Sequence, residues 1–165
     1  MAEIGFYHLT RTALPEALAR LLGRTIEAGQ RAVVLCPDDA RPKALDTALW
    51  ACPEPAWLPH GTAADGDPAL QPVWLTTIPE ATNGGRFLFL VEGARTDDAA
   101  AFARVFDLFD GNDPDAVTAA RGRWRTARET GHTLIYWKQG PRGWEKGAEV
   151  SAALSPPSSA PPATT

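Results

Sequence analysis

The sequence is short of the residues from which most catalytic and metal sites are built. Its 165 residues include two cysteines and three histidines. Cys36 and Cys52 lack the spacing of a Cys-x-x-Cys pair, and no two histidines have helix or zinc-finger spacing. Both cysteines lie in or beside apolar segments, which favours buried thiols in a reducing cytoplasm. We therefore expect no metal, no cofactor and no disulfide.

Long apolar runs and excess positive charge are also missing. No run approaches the roughly 20 apolar residues of a membrane span, and Met1-Ala2-Glu3 does not begin a signal peptide. These absences predict a cytoplasmic protein with no membrane partner. The net charge of −4 makes the chain a poor candidate for binding duplex DNA directly, because phosphate contacts need local Lys or Arg.

Phosphate-binding motifs are absent as well. The first apolar strand is followed by Leu9-Thr10-Arg11-Thr12-Ala13-Leu14-Pro15, where a nucleotide-binding domain would carry Gly-x-Gly-x-x-Gly or a P-loop. Nucleotide chemistry is therefore disfavoured.

Hydrophobic patterning predicts an α/β fold with a single domain. Apolar runs typical of covered, parallel strands alternate with helical spacing, which indicates a three-layer α/β/α arrangement around a mostly parallel sheet of about seven strands. Residues 104–109 alternate polar and apolar, which predicts a half-exposed strand. The predicted strands are 4–9, 31–36, 57–58, 73–76, 86–91, 104–109 and 133–138. The predicted helices are 14–28, a helix that Asp38 or Asp39 opens and that carries residues 44–50, a short helix over about 99–103, and 114–130.

The C-terminal residues have a different composition. From Ser151 onward the chain consists almost entirely of Ser, Ala, Pro and Thr and offers no material for a core. We predict a folded domain over residues 1–147 and a disordered Pro/Ala/Ser-rich tail over 148–165.

One helix carries an unusual arginine pattern. Asp113 and Pro114 mark its start and Gly131 marks its end. At about 100° per residue, one arc of about 100° holds the four side chains Arg121, Trp124, Arg125 and Arg128. Arg123 falls among alanines on the other side and needs a partner or a route to solvent. The arc is either a solvated helix face or a docking surface for an acidic ligand with an apolar part, because guanidinium forks grip carboxylates and an indole offers an apolar wall.

Two other features are candidates for function. His60 and Asp65 share a loop and would form an acid–base pair if they met, although a loop histidine bonded to backbone is more common. Among the six tryptophans, Trp57 and Trp124 have polar neighbours, which is typical of interface anchors.

Several segments, taken in order, resemble the chi subunit family of bacterial DNA polymerase III. The segments span roughly residues 3 to 147 and are Phe6-Tyr7-His8-Leu9, Gly29-Gln30-Arg31-Ala32-Val33-Val34-Leu35, Leu45-Asp46-Thr47-Ala48-Leu49-Trp50, Trp57-Leu58-Pro59-His60-Gly61 and Ala120-Arg121-Gly122-Arg123-Trp124-Arg125. The resemblance implies a Rossmann-like domain without catalysis of its own. It also implies an accessory subunit that links the clamp loader, through the psi subunit, to single-stranded DNA-binding protein (SSB), and so contacts DNA only indirectly.

In that family, chi binds the acidic C-terminal tail of SSB, which ends in aspartates, a proline and a phenylalanine. The resemblance carries the tail-binding role onto Trp50, Trp57, Phe109, Arg121, Trp124, Arg125 and Arg128. Under this hypothesis the arginines hold the carboxylates and the aromatic residues form a slot for the phenylalanine. Trp124 and Arg125 replace a tyrosine and a lysine of the family pattern, and Phe109 replaces a smaller apolar residue.

Two alternatives remain open from the sequence. Arginines and an indole also stack on bases, so the same helix face is a candidate for single-stranded nucleic acid. An enzyme that uses His60 and Asp65 is the other alternative.

Overall fold

The computed structural model describes residues 2–55 and 57–151. Short 3₁₀ turns cover Ala63–Asp65, Pro68–Leu70 and Ala99–Ala101. Within the described ranges the helices are α1 (Leu14–Glu27), α2 (Arg41–Trp50) and α3 (Pro114–Thr130), and the strands are β1 (Glu3–Leu9), β2 (Ala32–Leu35), β3 (Gly61–Thr62), β4 (Val73–Thr76), β5 (Phe87–Val91), β6 (Arg104–Asp110), β7 (Thr133–Gly140) and β8 (Gly143–Val150).

All eight strands belong to one sheet, in the order β3-β4-β2-β5-β6-β1-β7-β8. β1 to β7 pair in parallel, and β8 pairs with β7 in the antiparallel sense. The α/β class, the single domain and the mostly parallel sheet are therefore confirmed, with eight strands where we predicted about seven. The strand order differs from that of the Rossmann fold, so the Rossmann-like arrangement is not confirmed.

The core consists of two apolar clusters that use alternate residues of the strands. Val34 and Leu108 belong to the cluster that contains the buried residues of α1 and α2. Val33 and Phe109, their sequence neighbours, belong to the cluster that contains Ala120 of α3. Because successive strand side chains point to opposite faces, α3 packs on the sheet face opposite to α1 and α2.

Two strand predictions are wrong. Residues 57–58 form no strand, and the short strand of this region is β3. β6 is not half-exposed: it lies between β5 and β1, and its residues from Val105 to Phe109 are buried. The alternating pattern gave a wrong prediction because Asp107, the polar residue within it, is buried in an ion pair with Arg123 of α3.

β8 was not predicted. Gly140 and Gly143 close a hairpin around Pro141-Arg142, and a bulge opposite Ile135 to Trp137 shifts the register. Gly147 faces Tyr136, where a Cβ would lie 2.7 Å from a ring carbon. The sheet therefore extends to Val150, past residue 147, where we predicted the domain to end. Residues 152–165 of the predicted tail lie outside the described residues.

Within the described ranges, none of the helices has the length and apolarity needed to cross a membrane.

Candidate functional site

Helix α3 forms as the sequence predicts. The Asp113 side chain accepts a hydrogen bond from the Asp115 amide at 3.0 Å, and Gly131 ends the helix with φ of 91°. Ala120 is its one fully buried residue, and Val117, Trp124 and Ala127 pack partly against the sheet. The helix thus packs on the sheet through a narrow apolar strip, and most of the surface of α3 makes no contact with the core.

The arginines of α3 divide into one internal residue and three outward residues. The Arg123 guanidinium bonds Asp107 of β6 with Nε to Oδ2 at 2.6 Å and a second nitrogen to Oδ1 at 2.9 Å. Arg121, Arg125 and Arg128 are exposed. Among residues 2–55 and 57–151 no carboxylate lies within ion-pair distance of these three. Of the two possibilities that the sequence left open, Arg123 thus has a partner, and the other three arginines form the predicted arc of cations.

Asp107 is almost completely buried, with 2 % of its surface exposed. Burial raises the pKa of its carboxyl, and the two bonds from Arg123 oppose that rise. The pair fastens α3 to the middle of the sheet, which fixes where the three outward guanidiniums stand.

Beside Arg121, a cavity of about 290 Å³ opens between α3 and the sheet; we call it the α3 cavity, and Arg125 and Arg128 are not among its lining residues. Trp124 packs against Phe6 in an edge-to-face arrangement with centroids 5.2 Å apart. Three of the predicted site residues, Phe109, Arg121 and Trp124, line the cavity. Its complete lining is Phe6, His8, Phe109, Val117, Ala120, Arg121, Trp124, Tyr136 and Ala148.

Phe6, His8, Tyr136 and Ala148 were missed as site residues. Phe6 and His8 alternate on β1 and therefore share a face, and the parallel register places His8 beside Phe109 and Phe6 beside Tyr136. The sequence shows that Phe6 and His8 alternate on one strand. It does not show that β1 lies between β6 and β7, which is what brings Phe109 and Tyr136 beside them.

His8 is the polar centre of the α3 cavity. Its Nδ1 is hydrogen-bonded to the Tyr136 hydroxyl, and its ring centroid lies 5.0 Å from that of Phe109. Burial lowers the pKa of His8, and the charges of Lys138 and Arg121 lower it further; a bond to the Gly111 backbone and the charge of Asp110 act against them. Burial also raises the pKa of Tyr136, against the effect of Arg121.

Trp50 and Trp57, which we assigned to the same slot, lie elsewhere. Trp50 ends α2, and Trp57 follows in the loop; their ring centroids are 6.4 Å apart. α2 packs on the opposite sheet face from α3, beside β3 and β4 at the other edge of the sheet from β7. Trp50 and Trp57 therefore do not line the α3 cavity. They form a second aromatic surface, with 53 % and 72 % of their respective areas exposed.

The proposed His60–Asp65 pair does not form. His60 is buried, with Nδ1 2.6 Å from the Leu58 carbonyl and Nε2 3.1 Å from the carboxylate of Asp46. The Asp65 side chain instead accepts from the Thr62 amide at 2.8 Å and caps a 3₁₀ turn. The catalytic alternative thus loses the pair on which it depended, and His60 supports the ring of Trp50 at 4.1 Å.

The backbone amides of the β1–α1 loop, residues 10–13, bond a side chain of β7. The Gln139 Oε1 accepts hydrogen bonds from the backbone amides of Thr10, Arg11 and Thr12 at 2.9, 2.9 and 3.2 Å. Its amide nitrogen donates to the Thr12 hydroxyl at 2.7 Å. A side chain of β7 thus occupies the amides that would face a phosphate in a nucleotide-binding fold.

Comparison with known proteins then settles the family. Residues 1–135 match the family model described as DNA polymerase III chi subunit, HolC. The chain belongs to the DNA polymerase III chi subunit family. The resemblance seen in the sequence is confirmed, and an accessory role in DNA replication follows from it.

Two curated relatives carry the family name. The chain is 27 % identical over 130 residues to "DNA polymerase III subunit chi" of Escherichia coli (strain K12), covering 77 % of this chain and 88 % of that protein. It is 25 % identical over 91 residues to "Probable DNA polymerase III subunit chi" of Rickettsia prowazekii (strain Madrid E), covering 55 % of each. The family match ends before Tyr136 and Ala148, so one wall of the α3 cavity in this chi-family chain lies beyond the matched residues.

Proposed function

We propose that this chain is a non-catalytic subunit of the DNA polymerase III holoenzyme that links the clamp loader, through psi, to the acidic C-terminal tail of SSB. The observation that carries the proposal is the α3 cavity, an apolar pocket lined by Arg121, whose guanidinium has no carboxylate partner among residues 2–55 and 57–151. Its setting is the replisome in the cytoplasm.

The charges favour an acidic ligand. Arg121, Arg125 and Arg128 stand on one helix face without carboxylate partners in the described part of the chain. Like charges one turn apart repel, so this arrangement costs helix stability unless an anion is bound. Guanidiniums bind carboxylates through paired hydrogen bonds, and an acidic tail supplies several.

The shape of the cavity favours one aromatic ring. A cavity of about 150 Å³ is enough to hold benzene, and the α3 cavity measures about 290 Å³. Phe109 and Ala120 are buried in its lining, and Trp124 with Phe6 forms its aromatic side. A terminal phenylalanine would place its ring here and its carboxylate beside Arg121, and one buried ring with charge-assisted bonds suits a complex of micromolar affinity.

The Trp50–Trp57 surface supports a second partner. Exposed tryptophans in contact with each other are frequent interface anchors. Because this surface is on the other side of the sheet from α3, a protein bound there would leave the α3 cavity open. We assign it to psi, so that one chain holds both partners at once.

Titration of a labelled SSB C-terminal peptide, followed by fluorescence anisotropy, tests the proposal. We expect saturable micromolar binding that requires the terminal phenylalanine. Arg121→Ala and Arg125→Ala should each weaken it at least about tenfold, the equivalent of about 1.4 kcal/mol. The matched control is Arg24→Ala, which removes an exposed arginine from α1 on the opposite sheet face. Full affinity in both α3 variants would refute the site.

Single-stranded nucleic acid is the alternative ligand for the same face. Stacking on bases needs an open ring, whereas Trp124 is half-buried against Phe6. We therefore favour the peptide, and an oligonucleotide titrated in the same assay separates the two: tight oligonucleotide binding without peptide binding would reverse the choice.

A further inference from the structure

His8 and Tyr136 place a titratable hydrogen-bonded pair in the wall of the α3 cavity. The two side chains come from adjacent parallel strands, β1 and β7, and their rings meet edge to face with centroids 5.8 Å apart. Both are half-buried and both line the cavity beside Arg121.

The surroundings of His8 define which nitrogen carries its proton. The backbone of Gly111 acts to raise the pKa of His8, the direction in which a carbonyl that accepts from the imidazole acts. A Cβ at residue 111 would overlap Nε2 and Cδ2 of His8, so this edge of the ring lies against Gly111. We therefore assign the proton of neutral His8 to Nε2, so that its Nδ1 accepts from the Tyr136 hydroxyl.

We propose that protonation of His8 turns the Tyr136 hydroxyl from a donor to His8 into a donor to the ligand carboxylate bound at Arg121. This inference rests on the proposed function, because it concerns the ligand of the same cavity. A proton taken from solvent binds Nδ1, which then donates to the Tyr136 oxygen. The Tyr136 hydrogen, no longer directed at His8, rotates toward the cavity, and no covalent bond of the tyrosine breaks.

The anion and the pair lie close enough to influence each other. The charge of Arg121 acts on both His8 and Tyr136, so an anion that binds Arg121 also reaches both. The other charges facing His8 are Lys138 on β7 and Asp110 at the end of β6, and these two oppose each other.

The sign of the effect follows from the charges. In the free protein, burial together with Arg121 and Lys138 lowers the pKa of His8. A carboxylate at Arg121 compensates these positive charges and accepts from Tyr136, so the ligand raises the pKa of His8. By linkage, peptide affinity must increase as pH falls from the pKa of His8 in the bound protein to its pKa in the free protein. The full increase is about tenfold for each unit by which these two pKa values differ.

The experiment is the anisotropy titration of an N-terminally blocked SSB-tail peptide at about pH 8, 7 and 5.5. The peptide carboxylates stay largely ionised in this range, so a change in affinity reports the protein. We expect at least about threefold tighter binding at the lowest pH, which requires a rise of at least about half a pKa unit in His8.

Two variants separate the mechanism from general electrostatics. Tyr136→Phe should lose most of the gain in affinity between pH 8 and pH 5.5, whatever its affinity at pH 8, because it lacks the hydroxyl that protonated His8 redirects. His8→Leu should make the affinity independent of pH. His132→Gln is the matched control, since His132 also has a pKa lowered by burial but lines a different cavity on the same face.

The outcomes are distinguishable. Absence of peptide binding at every pH refutes the proposed function. Binding with a flat pH profile, or with a slope that survives in His8→Leu or fully in Tyr136→Phe, overturns the His8–Tyr136 inference alone. If His8→Leu fails to fold, Tyr136→Phe and the NMR titration of the His8 imidazole in the free and bound wild-type protein decide. In that NMR titration, a His8 pKa that is the same in the free and the bound protein overturns the inference.

Discussion

Arg123 and Asp107 join α3 to the middle of the sheet through two hydrogen bonds of 2.6 and 2.9 Å. The ion pair sits between the helix that carries the free arginines and the strand that carries Phe109. Its geometry therefore sets the position of the α3 cavity, although neither residue lines it.

Removal of the guanidinium should destabilise the fold. Arg123→Met leaves the Asp107 carboxylate buried and unpaired, a change that typically costs about 3–5 kcal/mol. For a domain of this size the melting temperature should fall by roughly 6–20 °C, measured by circular dichroism. The double variant Arg123→Met with Asp107→Asn should recover part of the loss, because no buried charge remains.

The same variant should depend on pH in a defined direction. Without Arg123 only burial acts on the pKa of Asp107, so the folded value rises further above the unfolded one. The folded state of the variant then binds a proton at Asp107 more tightly than the unfolded state does. The loss of folding stability caused by the buried carboxylate is therefore complete above the folded pKa of Asp107, and it decreases as pH falls through that pKa. Arg123→Met should thus lose more stability, relative to wild type, near pH 8 than near pH 5. An equal loss at both would mean that the carboxylate is not the source of the cost.

Gln139 makes a second prediction about stability. It satisfies the amides of Thr10, Arg11 and Thr12 with one oxygen. Gln139→Ala should cost about 1–3 kcal/mol and speed hydrogen exchange at these three amides. Gln139→Glu retains the acceptor and should protect them, so equal exchange in the two variants would contradict the role of the side-chain oxygen.

The Trp50–Trp57 surface should prove independent of the α3 cavity. Trp57→Ala should leave SSB-peptide affinity within about a factor of two, because Trp57 is exposed and on the other side of the sheet. It should weaken the complex with psi, measured by co-purification of the two subunits. A loss of peptide binding in this variant would restore our original grouping of Trp57 with Trp124.

The sequence alone predicted much of the fold and three of the nine residues that line the α3 cavity. Helix α3 was predictable to the residue because Asp113, Pro114 and Gly131 mark its ends by local chemistry. The α3 cavity was not, because His8 and Tyr136 are 128 positions apart and meet only through strand order. Trp50 and Trp57 were grouped with α3 by family resemblance, which does not reveal on which sheet face a residue lies.

Two glycines near the site should respond to alanine in opposite ways. At Gly111 a Cβ would overlap the His8 ring and approach the Leu9 carbonyl oxygen to 2.7 Å. Gly111→Ala should therefore destabilise the protein and displace His8, which removes the pH dependence of peptide binding.

At Gly122, inside α3, a Cβ would meet nothing within 4 Å. Because glycine in a helix interior costs about 0.5–1 kcal/mol relative to alanine, Gly122→Ala should raise the melting temperature by roughly 1–4 °C. Thermal denaturation of both variants checks the pair, and a loss of stability in Gly122→Ala would show that α3 packs more tightly at this point than the structure indicates.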